Sequence, residues 1–212
     1  MNTRAIVVEF IGTLFLVLTV GMVSISPAVP DGFAPIAIGS ILAIMIFAGG
    51  HISGGHYNPA VTLGVFLRRK LGLNDAIGYW IAQVVAGIVA AILVMILKPS
   101  LPDSPLVASV AVLPGLIAEF LFTFALVYVV LNVATARGTE GNSFYGWAIG
   151  FTVLVGAYAV GSVSGGSFNP AVSIGASIMR IFAWGNIWIY LVAELLGGAA
   201  AAYVFLFTHP GE

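Results

Sequence analysis

Polar residues fall in a few narrow places along this chain of 212 residues, and the stretches between them are almost wholly apolar. Between Asp31 and His51 lie 19 uncharged residues, between Asp75 and Lys98 lie 22, and between Glu140 and Arg180 lie 39. A bilayer core of about 30 Å takes about 20 helical residues to cross. The first two gaps each fit one crossing, whereas the third is too long for one and too short for two. Read this way, the chain predicts six full spans, at 5–25, 34–50, 76–97, 113–134, 144–162 and 186–207. Two short apolar helices remain, beginning at Asn58 and Asn169. Each holds about ten residues and reaches about 15 Å, half the membrane.

Each short helix is preceded by the same kind of string. Ser53-Gly54-Gly55-His56-Tyr57-Asn58-Pro59-Ala60-Val61 returns 111 residues later as Ser164-Gly165-Gly166-Ser167-Phe168-Asn169-Pro170-Ala171-Val172. Ser-Gly-Gly holds no stable helix, while Asn caps the first free amides and Pro needs no amide partner in the first turn. Both strings therefore read as irregular backbone entering a helix N-terminus. At membrane depth such backbone is tolerated only where protein or a water-filled cavity covers it.

The repeat reaches further. Glu9-Phe10 matches Glu119-Phe120 at an offset of 110, and Ala82-Gln83 matches Ala193-Glu194 at 111. The chain is thus one domain, 1–212, built from two copies at about 1–100 and 111–212. Three spans per copy is an odd number, so the second copy enters the membrane upside down, and the halves are related by a pseudo-two-fold axis in the membrane plane. The fold class is an all-α membrane bundle of six spanning helices and two re-entrant half-helices.

Composition agrees: 60% of residues are hydrophobic, 7% are charged and the mean hydropathy is +1.12, values that only lipid can solvate. Glu9 interrupts the first apolar run and no small-residue cleavage site follows, so that segment reads as a span, not a signal peptide. Arg4, Arg68, Arg69, Lys70 and Arg137 fall on one side of the six spans, and Lys98 and Arg180 on the other. Five cations of seven mark the cytoplasmic face and put both termini there. The absence of cysteine excludes disulfides and thiolate metal sites, and a net charge of −1 gives no sign of nucleic-acid binding. No cofactor is expected. His51 and His56 lie five residues apart, with His209 in the tail, which makes a poor metal set.

Inverted symmetry brings the two half-helices together near the midplane, where two positive dipole ends and two capping asparagines converge. A cap uses the side-chain oxygen and leaves the amide hydrogens of Asn58 and Asn169 free to donate to a passing water or hydroxyl. Gly54, Gly55 and His56 on one side, and Gly165, Gly166 and Ser167 on the other, are placed to expose a ladder of carbonyl acceptors. Such a path replaces hydration for neutral polar solutes and repels cations at its centre.

With these residues the chain resembles the aquaporin and aquaglyceroporin family, the major intrinsic proteins, over nearly its whole length from Glu9 to Glu194. The resemblance implies a homotetramer with one pore per subunit and passive flow of water or small uncharged solutes. It also implies that Glu9 and Glu119 brace the re-entrant loops by hydrogen bonds, and that His56 lines the cytoplasmic half of the pore. The family's outer filter corresponds here to Ile38, Ala157, Gly166 and Val172. Most relatives carry arginine at the last position, and water-selective ones add a ring and a histidine; this chain has neither the cation nor the ring. A wide, apolar mouth is expected, one that passes glycerol-like polyols, urea and metalloid hydroxides such as arsenite as well as water. Glycerol facilitators keep the arginine and follow it with aspartate, where this chain has Val172-Ser173. Arginine-free filters occur among plant vacuolar members and bacterial members associated with arsenic resistance. The short termini favour the second group and a bacterial inner membrane. The count along span five decides the filter, since a shift of one residue would put Tyr158 in the lumen.

Other readings have less behind them. A water-selective pore would need a tighter filter. A secondary transporter shares inverted repeats and broken helices but needs coupling-ion ligands, and no carboxylate flanks Asn58 or Asn169. An intramembrane serine enzyme has no partner constellation around Ser53 or Ser164. Glu9, Glu119, Glu194 and Gln83 read as loop braces or packing groups, given their symmetric placement. The small residues of 82–91 and 193–202 read as close helix contacts, and Trp80, Trp147, Trp184 and Trp188 as interface anchors.

Overall fold

The computed structural model of the chain describes residues 2–30 and 32–212; Asp31, which bounds the second predicted span, lies outside them. Among the described residues, six helices are long and apolar enough to cross a membrane. They are α1 (Thr3–Ser24), α2 (Ala34–Ser53), α4 (Leu73–Leu97), α5 (Val112–Thr135), α6 (Tyr145–Ser164) and α8 (Ile187–Thr208). Two helices of 9 residues, α3 (Pro59–Leu67) and α7 (Pro170–Ile178), are the half-length elements. The long gap between Glu140 and Arg180 thus holds one crossing and one half-helix. Among the described residues, Ile81, Ile96, Leu113 and Phe207 are the kind of large side chain left on the outer surface, one that water would not solvate.

Helix packing obeys the two-fold relation. Helix α1 packs on α2 and α4 as α5 packs on α6 and α8, and α3 lies against α8 as α7 lies against α4. Helices α2 and α6 meet each other across the axis. Gly39 and Gly150, 111 residues apart, make that crossing: a Cβ on Gly39 would stand 2.7 Å from the Gly150 oxygen, and one on Gly150 would stand 2.4 Å from the Gly39 oxygen. The small-residue stripes of α4 and α8 seat the half-helices in the same way. Gly87 lies under Ala171 of α7 and Gly198 under Ala60 of α3. Side-chain-free contacts let backbones approach to distances that longer residues forbid.

Both half-helices end alike. Arg69 and Arg180 have φ of +65° and +58°. The Arg69 N–H donates to Phe66 O at 2.8 Å and the Lys70 N–H to Val65 O at 3.1 Å. At the other end the Arg180 N–H donates to Ser177 O at 3.2 Å and the Ile181 N–H to Ala176 O at 2.8 Å. This is the paired closure that satisfies the last carbonyls of a helix, and it is one that glycine normally completes.

Two polar side chains anchor helix ends within the bundle. Lys98, 8% exposed, directs its ammonium at Met22 O (2.6 Å), Pro27 O (2.8 Å) and Ile25 O, closing the end of α1. Lys98→Met leaves those carbonyls without their donor and is expected to cost about 2 kcal/mol. The measurement is the unfolding midpoint in an SDS titration, and an unchanged midpoint would show that the cation is dispensable. Trp80 departs from its predicted place at the interface: its half-buried indole N–H donates to Pro59 O at 3.0 Å and ties α4 to the first turn of α3. Trp147, Trp184 and Trp188 are about half exposed, at 45%, 55% and 47%.

Candidate functional site: a pore between the two repeats

The loops that lead into α3 and α7 run through left-handed backbone. Gly54 and Gly55 have φ of +89° and +63°, Gly165 and Gly166 have +96° and +70°, and Tyr57 and Phe168 have +50° and +55°. For a residue with a side chain this conformation costs about 1–2 kcal/mol. Buried carboxylates hold it in place. Glu9 accepts from the His56 N–H (2.9 Å), the Tyr57 N–H (2.6 Å), Ser53 Oγ (2.7 Å) and Gln83 Nε2 (2.9 Å). Glu119 accepts from the Ser167 N–H (3.1 Å), the Phe168 N–H (2.8 Å) and Ser164 Oγ (2.6 Å). Both carboxylates are fully buried.

At the equivalent of Gln83, Glu194 accepts from the Asn169 N–H at 3.0 Å and from Ser173 Oγ at 2.8 Å, and its second oxygen has no partner among the described residues. Tyr79 and Tyr190 complete the pair of cradles, their hydroxyls donating to the carbonyls of Ser53 and Ser164.

Asn58 and Asn169 adopt extended backbone and cap their own helices. Asn58 Oδ1 accepts from the Ala60 N–H at 2.8 Å and the Val61 N–H at 3.4 Å, and Asn169 Oδ1 accepts from the Ala171 N–H at 3.0 Å. Neither amide group is wholly free, contrary to the expectation from capping alone. Asn58 Nδ2 donates to Phe168 O at 2.8 Å, and Asn169 Nδ2 donates to Tyr57 O at 2.9 Å, so each asparagine reaches across the axis to the opposite loop. One hydrogen of each carboxamide is spent on joining the two repeats, and one remains. Pro59 and Pro170 open the two helices behind them, and Ala60 and Ala171 are wholly buried.

A cavity of about 230 Å³ touches both asparagines. Ile38, Ala157, Gly166 and Val172 all line it, as do Gly165, Ser167 and His56. Tyr158 does not; it is half exposed on the far side of α6, and its hydroxyl donates to Gly32 O. On the face that carries Arg68, a second cavity of about 250 Å³ is lined by Ser53, Gly54 and His56. His56 therefore stands at the junction of the two, with Nδ1 3.0 Å from Thr62 Oγ1. Gly55 lines neither cavity. A Cβ on it would stand 3.3 Å from Gly50 Cα of α2.

Among the lining residues not evident from the sequence, one pair is related by the repeat. Phe182 borders the outer cavity, stacked on Tyr190 at 4.6 Å, and Leu71 borders the inner one. They are 111 residues apart, each two places beyond a left-handed arginine, so the repeat offset applied past the half-helices would have found them.

Comparison with known proteins agrees with this architecture. The profile of the family described as Major intrinsic protein matches residues 1–205. An "Aquaporin TIP1-2" of Musa acuminata is 39% identical over 81% of this chain and 69% of its own length. A "Probable aquaporin TIP2-2" of Oryza sativa subsp. japonica is 35% identical over 98% of this chain and 88% of its own. In fold, the chain is similar to the aquaglyceroporin from Plasmodium falciparum, with a TM-score of 0.79 at 21% identity, covering 97% of this chain and 96% of that one. Both sequence relatives are plant proteins, so they lend no weight to a bacterial inner membrane. The chain belongs to the major intrinsic protein family and is a multi-pass membrane channel for water, not an enzyme.

Proposed function

We propose that this channel passes water together with neutral solutes of glycerol size: polyols, urea and metalloid hydroxides such as arsenite. The observation that carries the reading is the joint lining of one cavity by Ile38, Ala157, Gly166 and Val172. None of the four brings a charge, a donor side chain or a ring to that opening. Arginine at position 172 would narrow the mouth and place a fixed cation there; valine does neither. In this reading Asn58 and Asn169 each offer one remaining amide hydrogen to the passing oxygen, Gly54, His56, Gly165, Gly166 and Ser167 border the file, and Glu9 and Glu119 are the braces. The face with five of the seven cations is the cytoplasmic one, and the assembly is a homotetramer with a pore in each subunit.

The test is stopped-flow light scattering on proteoliposomes with water, glycerol, urea and arsenite. Flux of all four should rise without saturation as the gradient increases. Val172→Arg should lower glycerol and arsenite flux at least about tenfold, the effect of a barrier of about 1.4 kcal/mol, while water flux falls less. Unchanged glycerol and arsenite flux in that variant would overturn the assigned filter.

A further inference from the structure

We propose that the cytoplasmic end of the α3–α4 linker, together with the end of α8, is a binding site for an anionic phospholipid. A groove of about 600 Å³ runs there, and its walls combine two kinds of surface: Leu71, Leu73 and Leu206 are apolar, while Arg69 and Lys70 are cationic and Tyr203 offers a phenol. Leu73 and Tyr203 are 54% and 64% exposed, on the side of the bundle that only lipid can cover. Arg69 and Lys70 are exposed as well and form no ion pair among the described residues.

Their neighbour behaves differently. Arg68 is buried, with Phe205 beneath its guanidinium at 4.6 Å and Glu212 at 2.7 Å. Of three consecutive cations, Arg68 is neutralised within the protein, Arg69 borders the apolar groove, and Lys70 borders both that groove and the inner cavity.

The backbone adds a second reason. Arg69 closes α3 in a left-handed conformation that glycine would adopt without penalty. Arginine at that turn places a guanidinium on the wall of the groove. A soluble anion would be served by the two charges alone, whereas the leucine walls have use only for acyl chains. A phospholipid with a negatively charged headgroup satisfies both, and such lipids are concentrated in the cytoplasmic leaflet. The proposal rests on the cytoplasmic placement of this face and is independent of which solutes the pore admits.

The test uses the purified channel in detergent with equal amounts of phosphatidylglycerol and phosphatidylcholine of matched chains, read by native mass spectrometry. Phosphatidylglycerol should be retained roughly thirtyfold over phosphatidylcholine, from about 1 kcal/mol for each of two cations. In Arg69→Gln/Lys70→Gln the preference should fall close to one. Equal retention of the two lipids by the wild type, an undiminished preference in the double variant, or release of phosphatidylglycerol by millimolar inorganic phosphate would each overturn the proposal. A photoreactive phosphatidylglycerol on the wild type keeps the test decisive should the variant fail to fold. Label on 66–73 and 203–206 supports the site, and label confined to other parts of the lipid face refutes it. Solute flux in proteoliposomes reports separately on the pore.

Discussion

Glu9→Leu is expected to yield a channel that neither conducts nor resists denaturation. The substitution keeps a side chain of similar size in a fully buried position and removes the acceptor for four donors: the His56 and Tyr57 amides, the Ser53 hydroxyl and the Gln83 carboxamide. A buried donor left without a partner costs about 1–3 kcal/mol. Four of them amount to roughly 4–12 kcal/mol, against a native stability of about 5–15 kcal/mol. The first loop, already held in left-handed backbone at Tyr57, then keeps only the Tyr79 hydroxyl on Ser53 O and the Asn169 carboxamide on Tyr57 O as its principal ties, and His56 and Asn58 are expected to shift with it. Glu119→Leu removes the acceptor for three donors and should be the milder of the two. Glu9→Gln should fall between wild type and Glu9→Leu, because one acceptor oxygen is retained. SDS unfolding midpoints and water flux measure the series. A Glu9→Leu protein with the wild-type midpoint and flux would show that the loop holds its shape without the carboxylate.

The second large effect is steric. Gly198→Val should destroy the packing of α8 on α3, because even the first added carbon stands 2.6 Å from the Ala60 oxygen. That oxygen belongs to the buried backbone of the first turn of α3, which has no flexible end to move aside. Overpacking a tight interior typically costs about 1–3 kcal/mol and at times more. A displaced α3 carries Asn58 away from Phe168, so flux should fall with stability. Gly87→Val makes the same collision with Ala171 at 2.7 Å on the other half and should match it. Gly161→Ala is the control. A Cβ there meets nothing within 4 Å, although the position borders the outer cavity, so the fold should be unaffected. Equal unfolding midpoints for Gly198→Val and Gly161→Ala would remove the packing argument.

Much of this architecture was legible from local chemistry. Charge-free runs of about 20 residues read as crossings because the bilayer sets their length. Asn-Pro after Ser-Gly-Gly read as a helix start because capping is decided within four residues. Placement was harder wherever a side chain had a choice of partners far along the chain. Trp80 has the composition of an interface residue, yet its indole finds Pro59 O. The carboxamide of Asn58 reaches the carbonyl of a residue 110 positions away, a contact that exists only once the two repeats are apposed.

From residue order alone came the number of crossings, the two half-helices, the inverted repeat and the buried acids paired with it. All of these depend on interactions within one helix turn, or on one segment's solubility in lipid. Tertiary structure alone decided which hydrogens of Asn58 and Asn169 remain for a solute, that α6 offers Ala157 and not Tyr158 to the cavity, and that His56 borders both cavities. Those depend on the rotation of each helix about its own axis. Rotation is fixed by where glycines such as Gly39 and Gly150 permit two backbones to touch.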